Sequence, residues 1–143
     1  MEIFNSSDVL ILERGTGGEP TPGSQFQLKK IASVAISGHR VVVLNAEGKA
    51  EYASNANPAH LGRIVGLTLN AASQGGVLTI QNYSDVTEPS WNWNVTLPVF
   101  LGKDGHLTQL PPDPIDSSFS TAIGFPVSPN VLFVDIGPSI SIT

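Results

Sequence analysis

Hydrophobic and polar residues alternate along much of this chain with the two-residue period of β-strands. Leu78 and Ile80 alternate with polar neighbours, and Ile140 and Ile142 do the same near the C-terminus. Side chains two residues apart lie on one face of a strand, so this pattern predicts strands with one buried face. Further strands are predicted at apolar or β-branched runs: residues 9–12, 31–36, 40–44, 49–52 and 132–136.

About ten short strands without a long helix predict an all-β protein, built as a barrel or a sandwich of antiparallel strands. Asn57 followed by Pro58 is typical of a helix start, because Asn caps free amides and Pro is tolerated at the first helical position. We therefore expect a helix of one or two turns at residues 57–61. Gly66 and Gly124 each interrupt a strand pattern, which predicts a bulge or a bend at both.

The same succession of signals occurs twice along the chain. Three landmarks recur about 57 residues later: Glu47-Gly48 as Asp104-Gly105, Asn57-Pro58 as Asp113-Pro114, and Gly66 as Gly124. We therefore predict one β domain at residues 31–143 that contains two similar units, at about 40–85 and 97–143. Residues 1–30 would form an N-terminal strand followed by an extended arm rich in Gly and Pro.

Composition excludes several classes of function. The formal net charge of −5 and the scattered basic residues argue against nucleic-acid binding. No apolar run is long enough to cross a bilayer, and the first residues lack the features of a signal peptide, so we expect synthesis in the cytoplasm and no membrane partner. The 143 residues include no cysteine, and only 13% are charged, which leaves a neutral, polar surface suited to assembly.

No motif predicts catalysis or a cofactor. His39, His60 and His106 do not have the spacing of metal ligands. Asp113 and Asp116 lie close enough in sequence to act as an acid–base pair, but a Pro-rich loop favours roles as caps and solubilising groups. We therefore predict a protein that is not an enzyme and binds no metal or cofactor.

Trp91 and Trp93 are the local feature with most binding potential. If residues 90–94 are extended, both indoles lie on one face and both flanking amides on the other. Three roles are open: filling the core between the two units, contacting another protein, or stacking against a sugar. The sugar role is the least favoured of the three, because Glu88 is the only acid nearby in sequence.

Three segments of the chain carry a resemblance to a known group: residues 62–69, 98–112 and 133–140. They resemble a strand with a central glycine, a hairpin ending in Pro-Pro, and a closing strand found in small structural proteins of tailed bacteriophages. The resemblance extends over about residues 40–143. That group is similar to capsid decoration, or cement, proteins, and related modules occur in head fibres and tail fibres. No catalytic residue comes with the resemblance.

The resemblance implies a virion protein that lies on the capsid surface, binds the major capsid protein and stabilises the assembled head. We also expect a homo-oligomer, either a dimer or a trimer. The expected contact residues are in the arm and at the tryptophan pair: Glu13, Arg14, Pro20, Pro22, Phe26, Trp91 and Trp93. The alternative is a module of the tail or of a fibre that takes part in attachment to the host.

Overall fold

The computed structural model describes residues 26–142, which form two antiparallel β-sheets and one short helical turn. The first sheet contains five strands: β1 Gln27–Ile31, β2 Val41–Leu44, β3 Ala50–Tyr52, β4 Gly66–Thr68 and β5 Val77–Gln81. The second contains six: β6 Tyr83–Thr87, β7 Val99–Leu101, β8 Leu107–Thr108, β9 Phe119–Ser128, β10 Val131–Asp135 and β11 Ser139–Ser141. The all-β prediction is confirmed.

The two sheets have the same strand order. The first runs β1-β5-β4-β2-β3 and the second β6-β10-β9-β7-β8, with β11 paired to β9 in addition. Only Asn82 separates β5 from β6, so the chain passes directly from one sheet to the other. β6 begins within the residues that we had assigned to the first unit, but it pairs with β10 and belongs to the second sheet.

The predicted strand at residues 31–36 is wrong. The strand lies earlier, at Gln27–Ile31, and pairs with β5. After it, Ala32 forms a single bridge to Ala50 of β3, and the Ser33 amide donates to the Ala50 carbonyl at 2.8 Å. β1 and β3 are the two edge strands, so this bridge links the edges and the first sheet curls around its own small core. That core is apolar: Ala32, Ile36, Val42, Ala50, Leu78 and Ile80.

A second, larger core lies between the sheets. β2 contributes Val41 and Val43 to it, whereas the second sheet contributes residues from four strands: Val86, Val99, Leu101, Phe119, Ile123, Leu132 and Val134. Val42, between the two valines, points into the core of the first sheet. β2 is therefore buried on both faces, which explains why its sequence is a continuous apolar run rather than an alternating one.

β9 changes the face that it buries through a bulge beside Gly124. Val99 pairs with Gly124 and Phe100 with Ala122, so Ile123 is the extra residue. A β-carbon on Gly124 would overlap the carbonyl oxygen of Phe133. The bulge predicted in this strand is therefore present. Ile123 is buried, whereas Phe125, two residues later, points to the outside. In a strand without a bulge these two side chains would share a face.

Gly66 has a different role from its counterpart. β4 pairs with β2 and β5 without a register shift, so no bulge lies at this glycine. A β-carbon on Gly66 would lie 2.6 Å from the Gln81 carbonyl oxygen. The glycine is required because the neighbouring strand approaches closely, and the pairing shows no bulge here.

The predicted helix start is confirmed as a single 3₁₀ turn, Pro58–His60. The Asn57 side chain accepts a hydrogen bond from the Ala59 amide at 2.9 Å. In the second unit the Asp113 carboxylate accepts from the Ile115 amide at the same distance, and the chain forms a turn there. Both landmarks therefore use the same capping bond.

We expect Gly124→Ala to destabilise the protein by about 2 kcal/mol or more, because the methyl group forces β9 and β10 apart. Gly137→Ala is the matched control: its β-carbon would meet nothing closer than 3.6 Å, so its effect should stay within about 0.5 kcal/mol. Urea unfolding of both variants measures the difference. Equal free energies of unfolding would contradict the close approach at Gly124.

Candidate functional site

A cleft of about 500 Å³ lies where the two units meet, and we call it the tryptophan cleft. Three segments line it. The turn before β2 supplies His39 and Arg40, the loop after β6 supplies Glu88 and the two tryptophans, and the turn before β8 supplies His106. The cleft therefore combines aromatic surface with groups of both charges.

Trp91 and Trp93 lie side by side at the base of this cleft. Their ring centroids are 5.4 Å apart at an angle of 50°, and both rings are half-buried against the core between the sheets. Asn92 and Asn94 are exposed. The tryptophan loop is anchored by its backbone, since the Trp93 amide donates to the Pro129 carbonyl at 2.8 Å. Packing between the units is thus one role of the pair, and the Trp93 Nε1 atom is buried there without a hydrogen-bond partner.

Glu88 supplies a fixed negative charge in the cleft. The Ser90 hydroxyl and the Ser90 amide both donate to its Oε2 atom, the amide at 3.1 Å. These two bonds, with a smaller contribution from His39, lower the pKa of the Glu88 carboxyl below its ordinary value. The carboxylate therefore accepts hydrogen bonds over a wide pH range.

His39 forms another wall of the cleft. Its ring packs edge-on against Trp91, with centroids 5.3 Å apart. Its backbone has a φ of 57°, the left-handed region that non-glycine residues seldom adopt. The turn is held by the His39 amide, which donates to the Thr68 carbonyl at 2.7 Å. The imidazole is thus positioned by the first sheet and faces a loop of the second unit.

The three histidines do not come together. His60 is buried in the first unit, where its Nδ1 atom accepts a hydrogen bond from the Ser54 amide at 3.0 Å. Within residues 26–142 no three His, Asp or Glu side chains are close enough to hold a metal ion, and no helix there is long and apolar enough to span a membrane.

The remaining sequence-predicted residues are distributed as follows. Glu13, Arg14, Pro20 and Pro22 lie outside the described residues. Phe26 packs edge-on against Tyr83, away from the tryptophans, with ring centroids 5.0 Å apart. Asp116 lies 3.4 Å from the Lys103 ammonium group, and Asp113 caps a turn, as we expected for these two carboxylates.

The sequence analysis missed four exposed apolar residues in the loops before β7 and after β8, which we call the loop patch: Val95, Leu97, Leu110 and Ile115. All four residues are exposed, Leu110 with a relative exposure of 76% and Ile115 with one of 92%. Gln109 holds the two loops together, because its side chain accepts from the Asn94 amide at 3.0 Å and donates to the Leu97 carbonyl at 3.0 Å. The signal in the sequence that could have predicted these exposed residues is the presence of Leu110 and Ile115 in a Pro-rich loop.

No protein-family model matches this chain, and no curated protein matches it in sequence.

We expect Ser90→Ala to raise the pKa of Glu88 towards its ordinary value, because the substitution removes the hydroxyl donor, the largest cause of the shift. An NMR titration that follows the Glu88 side chain in both proteins measures the change. Ser84→Ala, on β6 of the second sheet, serves as the control and should leave the Glu88 titration unchanged. An identical titration in the Ser90→Ala protein would contradict the assigned cause.

Proposed function

We propose that this protein is a structural component of a tailed-phage particle that decorates the capsid. In this proposal it binds the major capsid protein on the outside of the assembled head and stabilises it. The protein is a homo-oligomer, and it acts by contact rather than by catalysis. The resemblance in residues 62–69, 98–112 and 133–140 supports the kind of particle.

The loop patch is the observation that carries this proposal. Leu110 and Ile115 are the most exposed of the large apolar residues in the described part of the chain. The Gln109 bond to the Leu97 carbonyl brings the loop of Leu97 next to that of Leu110, and grouped apolar residues on a protein surface are typical of contact with another protein. The loop holding them is constrained by the Gln109 bonds and by three prolines, Pro111, Pro112 and Pro114, so less conformational entropy is lost on binding.

Weak contacts of this kind are sufficient for decoration. A protein that binds only the assembled shell stabilises it by mass action. When each copy contacts more than one capsid subunit, the separate contacts reinforce one another. Few charged residues are needed for such binding. The arm residues Glu13, Arg14, Pro20 and Pro22 remain proposed contacts, and the loop patch adds contacts from the body of the protein.

Replacing Leu110 and Ile115 together by Ser should weaken binding to capsids at least about tenfold, because both anchors of the patch are lost. Capsids that lack the protein are mixed with the purified variant, and bound protein is measured after sedimentation. The control replaces Val34 and Leu61, two exposed apolar residues outside the loop patch, by Ser, and this variant should bind normally. Normal binding by the loop-patch variant would contradict the proposed contact.

The tryptophan cleft favours a second candidate, a tail or fibre module that contacts host glycans. Trp91 and Trp93, the Glu88 carboxylate and two imidazoles line the cleft. Faces of aromatic rings stack on sugar rings, and carboxylates and imidazoles form hydrogen bonds with sugar hydroxyls. We expect Trp fluorescence to change on titration with simple sugars under this candidate, and Glu88→Gln to weaken the response. If Trp fluorescence does not change at sugar concentrations up to about 50 mM, the result contradicts this candidate function.

A further inference from the structure

The Glu88 carboxylate brings a negative charge to the wall of the tryptophan cleft. The Ser90 hydroxyl and the Ser90 amide, which donate to its Oε2 atom, are both uncharged groups. Within residues 26–142 no basic side chain lies at ion-pair distance from this carboxylate. The hydrogen bonds therefore fix the position of the charge without neutralising it, and the charge is available to a ligand.

The positive charge of Arg40 is held by groups outside the cleft, although the residue lines it. Its Nη1 atom donates to the Asp104 carbonyl at 3.1 Å, and its guanidinium carbon lies 5.3 Å from the centroid of the Tyr52 ring. Neither Asp104 nor Tyr52 lines the cleft. When the two imidazoles of the cleft are neutral, the charge that faces the tryptophans is therefore the negative charge of Glu88.

Trp91 and Trp93 form two inclined walls rather than one flat platform. Their ring centroids are 5.4 Å apart and their planes meet at 50°. A compact, rounded group contacts two inclined rings at once, whereas a flat ring stacks on only one of them. The Trp93 Nε1 atom is buried, so this indole offers a ligand its ring and not its N–H donor. Indole faces attract cations, because the ring quadrupole is negative on its face.

We propose that the tryptophan cleft binds a quaternary ammonium group. Such a group is rounded, its methyl groups pack against indoles, and its positive charge is attracted both to the rings and to Glu88. It needs no hydrogen-bond acceptor, which suits a carboxylate whose Oε2 atom already accepts two bonds from Ser90. The cleft volume of about 500 Å³ is in the range of sites for small molecules. This inference depends on neither candidate function.

Choline and 3,3-dimethyl-1-butanol test this proposal, because the two molecules have the same shape and only choline is charged. The chain contains two tryptophans, and both line the cleft, so intrinsic fluorescence reports on this site directly. The full-length protein is titrated at pH 8, where a free imidazole is uncharged, with sodium chloride holding the ionic strength constant. We expect a saturable response to choline, with an affinity at least about fivefold higher than for the alcohol.

Glu88→Gln should weaken choline binding about threefold and leave binding of the alcohol unchanged, because only the charge of the cleft is removed. Glu47→Gln is the matched control, since Glu47 is exposed in the turn after β2 and does not line the cleft. It should bind choline like the unmodified protein. Ethanolamine, whose primary ammonium group is more strongly hydrated, should bind more weakly than choline.

Three results would overturn the proposal. The first is equal affinity for choline and the alcohol, or no saturable response to choline up to about 50 mM. The second is an equal loss of choline binding in the Glu88→Gln and Glu47→Gln proteins, which would show a general effect of net charge. The third is tighter binding of ethanolamine than of choline, which would contradict the assignment to a quaternary group.

Discussion

The three consecutive valines of β2 hold the two sheets together, because they belong to two cores at once. Val41 and Val43 lie in the core between the sheets, and Val42 lies in the core of the curled first sheet. All three are 2% exposed or less. Each buried side chain of this size contributes about 1.5–3 kcal/mol.

The position of β2 explains why the two units differ at their surfaces. In the first unit the sheet closes through the bridge from Ala32 to Ala50 and buries its own core. The second sheet buries its inner face against the first unit and leaves the rings of Tyr83, Phe133 and Phe125 on the other side. Two units with the same strand order thus present different chemistry, and the surfaces available for binding lie mainly on the second.

Local patterns in the sequence were sufficient for the all-β class, for the Asn57 cap and for the bulge beside Gly124. They placed β1 wrongly, because its sequence Gln-Leu-Lys-Lys-Ile has few apolar residues, whereas Ala32 and Ile36 reach the core from a segment that is not a strand. The tryptophan cleft depends on distant segments, since His39 meets Trp91 only when the sheets pack. The loop patch depends on which apolar residues stay exposed, and a sequence pattern does not specify that.

The central claim is that this protein covers the capsid of a phage particle, and the most direct test is its copy number. Quantitative mass spectrometry of purified particles gives the ratio of this protein to the major capsid protein. Decoration predicts many copies, within a few-fold of the major capsid protein, because the binding site repeats over the shell. A small number of copies per particle would instead assign it to the tail or a fibre, and its absence from particles would contradict the virion function altogether.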